Sequence, residues 1–185
     1  MTESIEEIDA RVAAGTRQLL SKLERDEWCT VAVLTKELDW NYVLRSTGRV
    51  VRKLRGRKMR AWPALMDEFG AALQFGDYFG ENYPALDECL CDLDWLPTDK
   101  GYVLIIVNPE QVLTDDEDNH ESPDAERSAL VQLLQTAVDT YAEPIELGEY
   151  WDRPAVPFDV ILVTDAEHRD EVVRRWKAAG APLED

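Results

Sequence analysis

Tyr102-Val103-Leu104-Ile105-Ile106-Val107 is the stretch that decides the fold. It is rich in β-branched residues, it lacks polar alternation and it is too short for a buried helix, which is how a strand covered on both faces of a sheet reads. Two further runs have the same character, Trp28-Cys29-Thr30-Val31-Ala32-Val33-Leu34 and Phe158-Asp159-Val160-Ile161-Leu162-Val163-Thr164. Val50-Val51-Arg52-Lys53-Leu54 is another strand, running into Arg55-Gly56-Arg57, where Gly56 is expected to supply a turn.

Helical patterns separate these strands. Ile5, Ile8, Val12, Leu19, Leu20 and Leu23 recur at helical spacing over about 4–25, with Thr2 or Ser4 as the cap. Trp62, Leu65, Met66, Phe69 and Leu73 share one face of a second helix, which tolerates Pro63 in its first turn. Pro84 is read as opening a short helix through Leu86, Cys89 and Leu90 that closes over 92–97, and a longer one is read over 124–142. Val172, Val173 and Trp176 lie on a final helix stopped by Gly180 and Pro182. The stretch 39–44 is ambiguous, 46–49 is a turn, and 143–157, with three prolines, is a loop holding at most a short strand. From Asp115 the chain loses its apolar residues until the helix at 124, as expected of a mobile, solvated loop. Apolar strands alternating with amphipathic helices make the class α/β, with a small, mainly parallel sheet packed by helices.

The chain has 185 residues, 20 of them basic and 38 acidic, for a formal net charge of −18. Such a chain repels a phosphate backbone, so direct nucleic-acid binding is not expected and a basic partner is the first choice. No apolar run approaches the roughly 20 residues that span a bilayer, and the N-terminus has no basic start followed by an apolar stretch. The expectation is a cytoplasmic protein with no membrane association. Cys29, Cys89 and Cys91 form no zinc-ligand pattern with each other or with His120 and His168, so reduced thiols and no cofactor are expected. No small-molecule ligand is expected either.

The charge is uneven. Arg49, Arg52, Lys53, Arg55, Arg57, Lys58 and Arg60 crowd into one stretch. Such a stripe can bind phosphate, but strand side chains alternate faces, and pairing with acids of its own fold or solvation is the plainer reading. Further on, Asp77, Glu81, Asp87, Glu88, Asp92, Asp94 and Asp99 are mixed with Tyr78, Phe79, Tyr83 and Trp95. Carboxylates among rigid aromatics suit a protein interface, because aromatics give contact area at low entropy cost and carboxylates pair bidentately with Arg. Spacing alone favours the alternative, in which the aromatics are core and the acids are caps and helix surface.

The run Leu73-Gln74-Phe75-Gly76-Asp77-Tyr78-Phe79-Gly80-Glu81-Asn82-Tyr83-Pro84-Ala85-Leu86-Asp87-Glu88-Cys89-Leu90 resembles the signature of the barstar family, the intracellular inhibitors of barnase-type ribonucleases. Arg55-Gly56, Met59 and the helix to Leu73 fit the same frame, and the order of elements to about residue 164 follows it more loosely. The resemblance implies a barstar-like three-layer domain over 49–185 built on three parallel strands, with residues 1–48 a helix-and-strand extension. It implies that one helix and the loop before it enter a nuclease active site, where carboxylates replace the substrate's phosphates. Tyr78, Phe79, Gly80 and Asn82 match the family's loop residues, Tyr83 occupies a contact position with a different side chain, and Glu88 stands where the dominant phosphate-mimicking Asp stands. Pro84 replaces another contact Asp and Asp87 replaces a Trp, so the carboxylates are kept in number and moved along the helix. The later acidic contact has no clear match; Asp139 is nearby in pattern. The implied partner is a basic ribonuclease or nuclease toxin other than barnase, met through Tyr78, Phe79, Gly80, Asn82, Tyr83, Asp87 and Glu88.

Two other classes compete. Catalysis would need converging groups, but the adjacent Asp87 and Glu88 point about 100° apart on a helix, His120 lies in the expected mobile loop, and His168 sits in the first turn of the last helix with no nucleophile beside it. No nucleophile motif or phosphate-cradling glycine loop is visible, so an enzyme is not expected. The alternative binding module is an immunity protein or adaptor that keeps the fold and meets a partner that is not a ribonuclease.

Overall fold

Strands inside a parallel sheet are covered on both faces, and that is what the apolar runs become. A computed structural model of the chain describes residues 28–33, 47–115, 123–150 and 152–183, together with Ala10, Ala13, Ala14, Arg17, Leu20, Ser21, Leu23 and Leu44. Strands β1 (Cys29–Val33), β2 (Val50–Arg55), β3 (Tyr102–Val107) and β4 (Phe158–Thr164) form one sheet in the order β1-β4-β3-β2, with every neighbouring pair parallel. Helices α1 (Trp62–Leu73), α2 (Tyr83–Asp92) and α3 (Pro123–Ala142) lie between β2 and β4 in sequence, and α4 (Arg169–Ala178) follows β4. The N-terminal strand β1 joins the sheet beside β4, so the sheet has one strand more than the resemblance alone implies.

The strand register sorts side chains by face. Leu54, Leu104, Ile106, Val160 and Leu162 point into the larger core, with Leu65 and Phe69 of α1, Leu86 and Leu90 of α2, Leu134 of α3 and Trp176 of α4. Val51, Val103, Ile105, Ile161 and Val163 point the other way and are covered by Leu20, Leu23 and Leu44. The arrangement is therefore three-layered, and the N-terminal segment supplies the second cover. Each fully buried Leu or Ile contributes roughly 1.5–3 kcal/mol, so neither face is dispensable.

The expected helix over 4–25 and the ambiguous stretch 39–44 fall largely outside the described residues, although Ala10, Ala13, Ala14, Arg17, Leu20, Ser21 and Leu44 are helical. The acidic loop is likewise outside from 116 to 122, His120 included. Its first residue behaves differently from a solvated loop: Asp115 accepts a two-pronged interaction from Arg60, with Nη2 to Oδ1 at 2.5 Å and Nε to Oδ2 at 2.9 Å. Among the described residues no helix is long and apolar enough to cross a membrane.

Gly56 supplies the expected turn and has a second task besides. It begins a short 3-10 turn, Gly56–Lys58, where the backbone of Asn108 passes so close that a Cβ would lie 2.1 Å from the Asn108 carbonyl oxygen. Next to it, Arg55 is clamped onto α1. Glu68, 5% exposed, accepts from the Arg55 backbone N–H at 2.8 Å, from Nε at 2.8 Å and from Nη2 at 2.7 Å. Burial pushes the Glu68 carboxyl up, but these bonds and the charges of Arg55 and Lys58 outweigh it and leave the group below its ordinary range. The exit of β2 is thus tied to the middle of α1, which orients the helix that delivers the chain to the aromatic loop.

Candidate acidic and aromatic docking face

Helix α1 ends at Gln74 in the left-handed conformation, φ 58°, and its last turn is closed by the Phe75 N–H on the Gly70 carbonyl at 3.0 Å. The chain then doubles back through Phe75-Gly76-Asp77-Tyr78-Phe79-Gly80. Phe75 and Phe79 pack edge to face at 4.8 Å between centroids, and Phe79 lies over Gly70, where a Cβ would stand 3.4 Å from the ring. Phe79 is therefore half-buried and holds the loop rather than standing out from it. Tyr78 is the opposite, 69% exposed, with one edge against Trp95 at 6.4 Å. Trp95 itself is anchored, because Phe75 packs on it at 5.9 Å and its indole N–H donates to the Leu73 carbonyl at 2.8 Å. Gly76 keeps this seat open, since a Cβ there would be 2.5 Å from the Tyr78 ring.

Helix α2 begins one residue before the expected Pro84, at Tyr83, and Asn82 caps it. The Asn82 Oδ1 accepts from the Ala85 N–H at 3.0 Å while its Nδ2 donates to the Gly80 carbonyl at 2.9 Å. Both ends of this amide are thus engaged within the chain, and Asn82 joins the loop to the helix. Tyr83 is 39% exposed and meets Trp62 edge-on at 6.3 Å. Leu86, Cys89 and Leu90 turn inward, as expected for Cys89, whereas Glu88 is exposed and Asp87 half-exposed. The far end of α2 is held by the Tyr141 hydroxyl, which donates to the Asp92 carbonyl at 2.9 Å, and the helix stops at Leu93 with φ 40°.

Sequence reasoning thus picks residues of two kinds. Tyr78, Tyr83, Asp87 and Glu88 present side chains to solvent, and Gly80 presents backbone; Phe79 and Asn82 build the platform beneath them. Trp95 and Phe75, absent from the candidate contacts, provide the backing for Tyr78. The sequence groups Trp95 with the aromatics among the acids but gives no sign that it backs Tyr78. Asp139 lies exposed on α3, accepting from the Gln135 side chain at 2.8 Å.

The face is strongly negative. Among the described residues, none of Asp77, Glu81, Asp87, Glu88, Asp92 and Asp94 takes part in an ion pair. Partial desolvation, then the repulsion of Asp94 and Glu88, push the Asp92 carboxyl above its ordinary value. The Tyr78 phenol is raised by desolvation and then by Cys89, Asp92, Asp94 and Glu88, and the Tyr83 phenol by desolvation and Asp87. Both phenols stay neutral hydrogen-bond donors at physiological pH. Such an arrangement can receive guanidinium and ammonium groups between rigid aromatics.

The chain matches the family model described as Barstar (barnase inhibitor) over residues 49–163, and no curated protein matches it. The match begins just before β2, contains α1, the aromatic loop, α2 and α3, and ends within β4, so it embraces the whole of this face. With well over half of its length aligned to that one model, the chain belongs to the barstar family.

Proposed function

We propose that this protein is an inhibitor that seats its loop 76–82 and the outer face of α2 in the active site of a basic ribonuclease or nuclease toxin, where carboxylates stand in for RNA phosphates. The observation that carries this reading is the unpaired row of exposed acids on and after α2, flanked by Tyr78 on its anchored Trp95. Glu88 is the central charge, Asp87 and Asp92 flank it along the helix, and Tyr78 and Tyr83 are the aromatic contacts. Gly80 lets the partner approach the backbone, while Phe79 and Asn82 hold the loop. A field of one sign steers a basic enzyme onto the face, and a platform already fixed by the Asn82 cap and the aromatic packing limits the entropy lost on docking. No chemical step is required, since occupation of the substrate's place is sufficient. The reading places the protein in the cytoplasm, where such a nuclease would meet cellular RNA.

The placement of charge favours a partner other than barnase. Pro84, at the first turn of α2, contributes no carboxylate, and Asp87 adds one a turn further along. The test is a titration of the protein, at several salt concentrations, against a panel of small basic microbial ribonucleases, reading both RNA cleavage and complex formation. Stoichiometric inhibition that weakens with added salt supports the proposal. Silence across the panel transfers the face to a partner of another kind, as for an immunity protein or adaptor of this fold.

A further inference from the structure

At the C-terminal end of α2 the acidic face continues into a cleft of about 640 Å³. One wall is the end of α2 and the loop after it, with Asp92 and Asp94; the floor is Tyr102; the opposite wall is the connection between α3 and β4, with Ile145 and Tyr150. Both walls are built. The Tyr102 hydroxyl donates to the Leu96 carbonyl at 3.0 Å, which fixes the first loop. The second is pinned by an antiparallel bridge, Ile145 N–H to Arg153 O at 2.9 Å and Arg153 N–H to Ile145 O at 3.1 Å. Asp152 accepts from the Leu147 and Gly148 N–H groups at 2.9 and 2.8 Å and closes the tip. Tyr150 stands at the rim, 93% exposed.

The cleft is lined by more carboxylates than cations and has aromatic rings on two sides, Tyr102 and Tyr150. Its own cation, Arg153, is committed elsewhere: its guanidinium donates to the Thr140 carbonyl at 2.7 Å and the Glu143 carbonyl at 3.0 Å and lies 4.4 Å from the centre of the Tyr141 ring. Asp99 leans on Lys100 at 3.4 Å and Asp152 is used by its loop, so Asp92 and Asp94 are the carboxylates left to a visitor. Partial desolvation and the negative charges of Asp94 and Glu88 bear on Asp92. A planar cation satisfies both features at once, because a guanidinium pairs with carboxylates at its edge and stacks on rings with its face.

We propose that this cleft receives an arginine side chain of the docked partner, held by Asp92 and Asp94 and covered by Tyr150. The inference rests on the reading of the acidic face as a docking surface and extends it to a second anchoring point beyond Glu88. It is tested without any nuclease. Isotope-labelled protein is titrated with N-acetyl-arginine amide, N-acetyl-lysine amide and the uncharged isostere N-acetyl-citrulline amide, while backbone amide resonances are followed.

The expected result is saturable shifts for the arginine compound centred on Asp94, Thr98 and Tyr150. Binding should be at least tenfold weaker for the citrulline compound and for Asp92→Asn/Asp94→Asn, weaker for lysine and for Tyr150→Ala, and much less affected by Glu88→Gln, which removes a neighbouring charge but no contact. Equal responses to the three compounds, shifts centred on Glu88, or indifference to Asp92→Asn/Asp94→Asn would overturn it. Thermal denaturation of each variant confirms that a lost response is not lost folding. Arginine binding in the cleft with no ribonuclease bound would sink the inhibitor reading alone, and inhibition without arginine binding would sink this one alone.

Discussion

Residues 49–60 and residues 77–99 are both dense in charge of one sign, yet the fold treats them differently. Three of the seven cations in the basic stretch are drawn into the protein's own structure: Arg49 pairs with Asp159, Arg55 with Glu68 and Arg60 with Asp115, each partner lying in a different element or loop. The acidic stretch keeps Glu88, Asp92 and Asp94 outside any ion pair among the described residues. Charge density in a sequence therefore does not distinguish architecture from recognition. What distinguishes them is whether the opposite charge is already in the molecule. The cations hold β2 against α1 and β4, and the framework they stabilise displays anions that are left for someone else.

Experiments that disturb one region and leave the other alone can break this contrast. The largest effect is expected from Glu88→Ala. A ribonuclease that the parent inhibits should lose roughly 2–5 kcal/mol of binding, the range for truncating one partner of a desolvated interfacial charge pair, a range that barnase and its inhibitor helped to establish. The melting temperature of the free protein should stay within about a degree of the parent, because an exposed side chain without internal partners contributes little to stability. Unchanged binding would move the recognition surface away from α2.

Glu68→Ala is the mirror case. It strands the part-buried Arg55 backbone N–H and returns the half-exposed guanidinium to water, and urea unfolding should report a loss of about 1–3 kcal/mol. Inhibition by the fraction still folded should persist. Wild-type stability in this variant would show that the cationic stretch is not structural.

A smaller, pH-dependent effect belongs to Asp159, buried beside Arg49. Burial raises its carboxyl to about 6 in spite of the opposing charge and hydrogen bond from Arg49. The unfolded chain titrates this group near about 3.9, so between those values the folded state binds more protons. Its contribution to stability is therefore greatest below about pH 4 and is lost as the pH rises through 6. The unfolding free energy should fall by about 1 kcal/mol from pH 5 to pH 8 on account of this group, and Asp159→Asn should remove that part of the slope. A slope unchanged in the variant would assign the pH dependence to other acids. The smallest effect is expected from Asn82→Ala, about 1 kcal/mol of stability from the lost cap, with a faster off-rate from the nuclease as the loop loosens. A cap that matters to stability and not to dissociation would separate the platform from the contact.

The layout of the sheet is legible in the sequence because a strand covered on both faces must be apolar on both, as β3 and β4 are. The faces of α1 and α2 are legible for a similar reason, through Leu65, Phe69, Leu86 and Leu90 at helical spacing. What stays hidden depends on distance along the chain. Gly56 reads as a turn residue, because nothing local announces that Asn108 will pass against it. Asp115 reads as part of a solvated run, since its partner Arg60 is 55 positions away. The cap by Asn82 is different, for an Asn shortly before a helix-opening Pro is a local signal, and reading the residue only as a contact obscures it. The cleft beside Asp94 needs two loops far apart in sequence, and neither loop's composition points to the other.

The pairing of β1 with β4 bears on the order in which the molecule is assembled. Cys29 lies opposite Val160 in the register, so β1 leaves a ribosome before β2, β3 and helices α1 to α3 and finds its neighbour only after all of them have been made. Until then the β2 and β3 pair and the helices that pack on it can form from nearer sequence, while β1 has no strand to pair with. The edge strand is thus a late arrival. A chain interrupted before residue 158 would carry α2 and its carboxylates without the strand that closes the core beneath them.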